Sequence, residues 1–154
     1  MVKRLNLGKP SVLSTDFEQG GTVKTIMKKI VKTEKAPSAI GPYSQGILSN
    51  GVLFTSGQIG IDPTTGQLVQ GGIEAQVRKV LENIRALLST AGCTVDDVVK
   101  TTVFLRNMED FNTVNLIYAS VFQKDFPARS CVAVVGLPKD ALVEIEIIAI
   151  AKGN

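Results

Sequence analysis

The sequence predicts an α+β fold: one six-stranded, mainly antiparallel or mixed sheet with two helices on one face. Three observations lead there. Two segments place apolar residues at helical spacing, and six runs are rich in β-branched and aromatic residues. Between two of those runs lies Asn50-Gly51, the strongest short hairpin signal. The order is β-β-β-α-β-α-β-β within a single domain over residues 27–154, with no internal repeat or linker.

Met27–Lys35 reads as a short strand. Ala36-Pro37 and Gly41-Pro42 then force an extended, turned path, because a residue before proline avoids helical backbone. Tyr43–Ser49 and Val52–Ile61 are strands joined by Asn50-Gly51, whose type I′ turn needs two positive φ angles. Asp62-Pro63-Thr64-Thr65-Gly66 is a loop without the ligand spacing of a calcium site. Ile73, Val77, Val80, Leu81, Ile84, Leu87, Leu88 and Ala91 follow the helical period, and Gly92 ends that helix. Val98–Leu105 is a strand. Asn107 or Asp110 caps a second helix with the stripe Phe111, Val114, Tyr118, Val121 and Phe122, and Pro127 follows its end. Arg129–Val135 is a strand, Leu137–Ala141 a loop and Val143–Ala151 the last strand. The glycine spacing around Gly136 is not that of a phosphate-binding loop.

The last strand carries Val143, Ile145, Ile147 and Ala149 on one side, and Glu144, Glu146, Ile148 and Ile150 on the other. Both sides are substantially apolar, so both are expected to be covered. Two helices cover one face; the other predicts an obligate oligomer.

Composition excludes several classes of function. Residues 1–26 hold four basic and two acidic residues, and the remainder thirteen and twelve, so the domain is nearly neutral. It has no Trp and no aromatic-basic interleaving, which argues against nucleic acid as a partner. There is no histidine, which removes Ser-His and Cys-His catalysis and His-ligated metals. Two cysteines make no disulfide framework and suit a reducing, cytoplasmic setting. No apolar run reaches the ~20 residues of a membrane span. Residues 1–26 read as an N-terminal extension. Lys3 and Arg4 would suit an organellar leader, but Asp16 and Glu18 weaken that reading, and no apolar core marks a secretory signal.

Charges set into apolar strand sequence are costly unless paired or used. Arg129 follows Pro127 and Ala128, which screen it little, and its fork matches a carboxylate. It is read either as a structural charge or as a substrate clamp. Glu144, among Val143, Ile145 and Ile147, is read either as a solvent-facing residue or as a general acid/base with a pKa tuned by its apolar setting. The short loop at 137–142 makes their strands antiparallel, which separates the two side chains by roughly 20 Å within one chain. A pocket using both would therefore lie between subunits. Cys131 reads as a buried small hydrophobe, because a nucleophile would need a base that the sequence lacks. Gly57 fits a strand bulge or a backbone approach to an anion. Tyr43 and Asn115 fit core packing or a polar pocket wall.

Together the segments Ile40-Gly41-Pro42-Tyr43-Ser44-Gln45-Gly46, Thr55-Ser56-Gly57-Gln58-Ile59, Val99–Leu105 and Phe126-Pro127-Ala128-Arg129-Ser130-Cys131-Val132 are distinctive. With Leu137-Pro138-Lys139-Asp140 and Val143-Glu144-Ile145, the chain resembles the reactive intermediate deaminase A (RidA) family, also called the YjgF family, over about residues 27–152. The resemblance implies a chorismate-mutase-like homotrimer with a central β-barrel, outer helices and ligand sites between subunits. It implies hydrolysis of 2-imino and 2-enamino acids, such as 2-iminobutanoate and 2-iminopropanoate, to 2-oxo acids and ammonia, without cofactor or metal. On this chain, Arg129 would hold the substrate carboxylate with the backbone N–H groups of Gly57 and Cys131. Glu144 would activate water, and Tyr43, Ser56 and Asn115 would line the pocket. Val135 departs from the small or basic residue expected there. The rival readings are an endoribonuclease or translation inhibitor, and a non-catalytic carboxylate-binding regulator.

Overall fold

Asn50 and Gly51 have φ of 49° and 79° and close the hairpin that the sequence predicts. The computed structural model describes residues 28–152. The expected extension at 1–26 lies outside them, as does Met27. The elements run β1 (Lys28–Val31), β2 (Gly46–Ser49), β3 (Val52–Thr55), β4 (Gln58–Ile59), α1 (Gly72–Thr90), β5 (Val98–Leu105), α2 (Phe111–Val121), β6 (Ala128–Ala133) and β7 (Val143–Ile150). The sheet order is β1-β2-β3-β7-β5-β6, with β4 also paired to β7. Only β5 and β6 run parallel, across the α2 connection; the other pairs are antiparallel.

The sheet has seven strands rather than six because the run Val52–Ile61 breaks in two. Phe54 pairs with Ile148 and Gln58 with Ile145. Four residues advance on one side against three on the other, which is a one-residue bulge at Ser56-Gly57. Past it the strand faces are exchanged, so Ile59 lies beside Glu144.

Both helices cover one face. Val77, Val80, Ile84, Leu87 and Leu88 of α1 and Val114, Ile117 and Tyr118 of α2 form one core with Leu53, Val103, Leu105, Val143, Ile145, Ile147 and Ala149. Gly92, with φ 74°, terminates α1 as expected. Cys93 N–H donates to the Leu88 carbonyl at 2.8 Å and Gly92 N–H to Ser89 at 3.2 Å, the paired bonds of a Schellman motif. Asn107, not Asp110, supplies a cap: its side chain accepts from Glu109 N–H at 3.0 Å, in the turn leading to α2.

Among the described residues no helix covers the opposite face. Ile30, Ile47, Phe54 and Ile148 form a continuous cross-strand row on it, and Ile30 and Phe54 are exposed. Thr102, Glu146 and Ser130 form a polar row beside it.

The turn entering β5 depends on Asp97, whose carboxylate accepts from Thr94 N–H at 2.7 Å and from the Thr94 hydroxyl at 2.9 Å. The Thr94 backbone bond holds its pKa below the usual value, with Lys152 adding. A lowered carboxylate pKa stabilises the fold above the ordinary range, and that stability is lost as pH falls through the lowered value. Asp97→Ala is expected to cost about 1 kcal/mol near neutral pH in urea unfolding. The difference from wild type should narrow below about pH 4.

Candidate active site

Glu144 lies on β7, on the face away from the helices, cross-strand from Phe104 and Ile59. Its carboxylate is packed against Gly57 so closely that a Cβ there would collide with Glu144 Oε1 and approach its Cδ at 2.6 Å. A glycine is therefore required at the bulge for this approach. Glu144 borders a cavity of about 290 Å³ whose walls include Pro37, Ile40, Tyr43, Ser56, Ile59, Ile61 and Pro138. Burial pushes the Glu144 carboxyl above its ordinary pKa, and the Glu146 carboxylate pushes the same way.

The other wall is tied down by hydrogen bonds. The Ser56 hydroxyl donates to the Ser44 carbonyl at 2.7 Å, and Ser56 N–H to Gln45 at 3.0 Å. Tyr43 is half-exposed, and its hydroxyl accepts from Ile40 N–H at 3.2 Å. Gln45, which sequence reasoning did not single out, is buried. Its amide donates to the Thr33, Ala36 and Pro37 carbonyls, and its Oε1 accepts from Thr33 N–H at 2.7 Å. It folds the proline-bearing segment over the cavity, which shortens both expected flanking strands. The available signal was a glutamine at the mouth of a β-rich run after two prolines.

Arg129 is on the other face. It pairs with Thr101, which pairs with Ile147 on the helix side. Its guanidinium carbon lies 4.8 Å from the Tyr118 ring centroid and 5.6 Å from that of Phe111, a cation–π setting. Among the described residues the ion pairs are Lys79–Glu82 and Lys152–Asp97, so Arg129 is without a carboxylate partner. It lines a hollow with Asn115, Phe126 and Pro127. Asn115 Oδ1 is buried there with no hydrogen-bond partner. The Tyr118 hydroxyl is committed to Thr101 at 2.9 Å. Cys131, two residues along β6, packs against the core. Burial raises its thiol pKa, against the pull of Arg129, so the environment does not make it a thiolate nucleophile.

The predicted residues thus fall into two groups: Glu144, Gly57, Ser56 and Tyr43 in one, Arg129, Cys131 and Asn115 in the other. The strands of Arg129 and Glu144 are antiparallel but not neighbours, because β5 lies between them. Three residues along and two strands across place the two backbone positions roughly 14 Å apart. The side chains also leave the sheet on opposite faces. Val135 is almost fully exposed, and its carbonyl accepts from the Arg106 guanidinium, so its side chain packs nothing within the chain. Among the described residues no three His, Cys, Asp or Glu side chains are grouped to hold a metal.

A family model described as endoribonuclease L-PSP matches residues 33–151. The chain belongs to the endoribonuclease L-PSP family. Among its relatives, the 2-iminobutanoate/2-iminopropanoate deaminase of Homo sapiens is 47% identical over 128 residues, spanning 83% of this chain and 93% of that protein. A Rid-family protein of Yersinia pestis has a structure with TM-score 0.79 at 56% identity, covering 81% of this chain and all of that one. The structure of E. coli TdcF with bound serine gives TM-score 0.77 at 45% identity over 80% of this chain and 99% of TdcF. The family expected from the sequence motifs is therefore that of the protein, and the single chain has the expected mixed sheet with both helices on one face.

The bulge contact makes a double-mutant test available. Gly57→Ala is expected to lower stability by about 1–3 kcal/mol through overpacking. In a Glu144→Ala background the same change should cost under about 1 kcal/mol, a coupling measurable by denaturant unfolding. Equal costs in both backgrounds would place the collision elsewhere.

Proposed function

We propose that this protein hydrolyses 2-imino acids and their 2-enamine tautomers, with 2-iminopropanoate and 2-iminobutanoate as representative substrates, at sites shared between subunits of a homotrimer. The observation that carries this reading is the division of chemistry between two faces. Among the described residues, one half-site has a general acid/base and no cation, and the other has a guanidinium with no carboxylate partner and no base. A neighbouring copy that brings its Arg129 hollow over the Glu144 cavity makes one complete pocket. The bare apolar row of Ile30, Phe54 and Ile148 gives the copies a surface to bury, as closed symmetric assembly requires. The names of the deaminase relatives and the serine bound to TdcF, an amino acid with a carboxylate, support the same class of ligand.

In the pocket Arg129 takes the substrate carboxylate as a bidentate pair, aided by the backbone N–H groups of Gly57 and Cys131. Tyr43, Ser56 and Asn115 line it. The protonated imine carbon is already electrophilic, so the protein must orient water and move protons. Glu144 accepts a proton as the water oxygen bonds to C2 and the C=N π pair moves to nitrogen. It then returns the proton to that nitrogen. As the C–N bond breaks and ammonia leaves, the hydroxyl proton on the new C2 oxygen passes to Glu144 and C2 becomes the carbonyl of the 2-oxo acid; ammonia then takes that proton as ammonium and restores the carboxylate. An enamine first takes a proton at C3. The raised pKa of Glu144 suits a group that must both accept and return a proton.

The absence of histidine and the near neutrality of the domain argue against classical acid-base RNA cleavage, despite the family's name. The free Cys93 and Cys131 fit a reducing cytoplasm. No described helix is long and apolar enough to cross a membrane. Residues 1–26 precede the matched region and are proposed as an accessory extension of the domain.

An assay in which an amino-acid oxidase generates the imine tests the reading. Glu144→Ala should lose about 10²–10⁴-fold in rate while keeping 2-oxo-acid binding; undiminished turnover would overturn its role. Arg129→Ala should lose both. Co-refolding the two inactive variants should restore part of the activity, because some mixed sites receive both intact halves. No restoration, with mixed oligomers present, would overturn the shared site.

A further inference from the structure

Helix α1 has two amides on its otherwise apolar, core-facing stripe. Gln76 and Asn83 are seven residues apart, so two helical turns put them on the same side. Both are buried, Asn83 at 1% exposure. A buried amide is costly unless bonded, so its partners are informative. Gln76 Oε1 accepts from Leu142 N–H at 2.9 Å. Asn83 Nδ2 donates to the Ile61 carbonyl at 3.0 Å and the Ile59 carbonyl at 3.3 Å.

Those partners are the backbone stretches on either side of Glu144. Leu142 stands two residues before it, and its carbonyl accepts from Arg106 N–H at 2.9 Å, so this peptide is gripped from both ends. Ile59 is the cross-strand neighbour of Glu144. β4 has only two residues and pairs with β7 alone. Its Ile59 carbonyl accepts from Ile61 N–H at 2.8 Å, and Asn83 adds a second bond there and holds the Ile61 carbonyl just beyond the strand. Between the two bonds the backbones nearly touch: a Cβ on Gly60 would stand 2.9 Å from Gln76 Cα.

We propose that Gln76 and Asn83 are positioning residues for Glu144, acting as a two-point clamp from α1 that sets the β7 carboxylate against the Gly57 bulge. The inference rests on the deaminase reading for its kinetic consequence but not for its geometry. Neither amide borders the cavity, so each acts through the backbone it holds. The Glu144 carboxylate contacts Gly57 on one side and borders the cavity on the other, so a shift of its backbone changes its direction. Misplacement of a reacting group by about 1 Å costs on the order of 10²-fold.

The test compares Gln76→Met, which removes the acceptor at similar volume, with Gln76→Glu, which keeps an acceptor for Leu142 N–H. Both are measured in the full chain. Gln76→Met is expected to lower kcat about 10–100-fold per folded chain with KM within about 2-fold, and Gln76→Glu to recover most of the loss. Glu144 is also titrated directly by carbon-13 NMR of its carboxyl, and its midpoint should move in Gln76→Met and return in Gln76→Glu. A folded Gln76→Met protein with the wild-type Glu144 titration overturns the clamp, whatever its activity. If Gln76→Met does not fold, Asn83→Leu is held to the same two readouts. If neither folds, the amides support the whole domain and the positioning role is overturned. Absence of deamination in the wild type would instead overturn the proposed function and leave the titration to judge the clamp.

Discussion

The contact between Gly57 and the Glu144 carboxylate governs much of the rest of the structure. It exists because one extra residue in the strand after Thr55 breaks the ladder and exchanges its faces. The bulge creates the short β4, and Asn83 of α1 ties the Ile59 and Ile61 carbonyls of that segment to the helix. The packing distance of α1 there is set by Gly60 against Gln76. A side chain at Gly57 would displace the carboxylate, and a side chain at Gly60 would push the helix away. Two glycines three residues apart thus fix the seat of the only carboxylate among the described residues whose pKa burial clearly raises.

A sheet separates any two side chains that leave it on opposite faces, and no local adjustment overcomes this. Arg129 is held on the helix side by Tyr118 and Phe111, and Glu144 on the bare side by Gly57. Each setting suits its residue. Aromatic faces hold a cation without neutralising it, and a part-buried apolar cavity keeps a carboxyl ready to bind a proton. Placing them side by side in one chain would produce an ion pair and remove both properties. In the proposed shared site, division between copies keeps each group unpaired until assembly, and a substrate carboxylate is the arginine's ligand.

Much of this was legible in the sequence. The hairpin at Asn50-Gly51 and the helix end at Gly92 follow from backbone angles that few residues tolerate, and both appear as expected. The helical stripes and the two-sided apolar character of β7 follow from periodicity. The break in Val52–Ile61 was not legible as two strands, because strand-forming residues stand on both sides of Ser56-Gly57 and a bulge at Gly57 can leave a single strand continuous. Nor was the insertion of β5 between β6 and β7, since a short loop ordinarily joins neighbours. Gln45, Gln76 and Asn83 escaped notice because amides carry no period and no charge; only their partners reveal what they do. The motif resemblance identified the family where spacing alone left Gly57, Tyr43 and Asn115 open.

The two rims of the sheet differ from its bare face in a way that bears on how copies can meet. β1 is an edge strand, and Lys28 and Lys29 are exposed along it. A new strand adding there would bring its backbone against two cations, a common natural defence against open-ended growth. In the proposed homotrimer, association is thereby steered away from this rim and onto the apolar surface of Ile30, Phe54 and Ile148. A face contact whose rotation closes ends after a fixed number of copies, whereas pairing on an unguarded strand edge can continue into a fibre. In that proposed assembly, the same lysines that look like ordinary solubilising residues guard the β1 edge against open-ended growth.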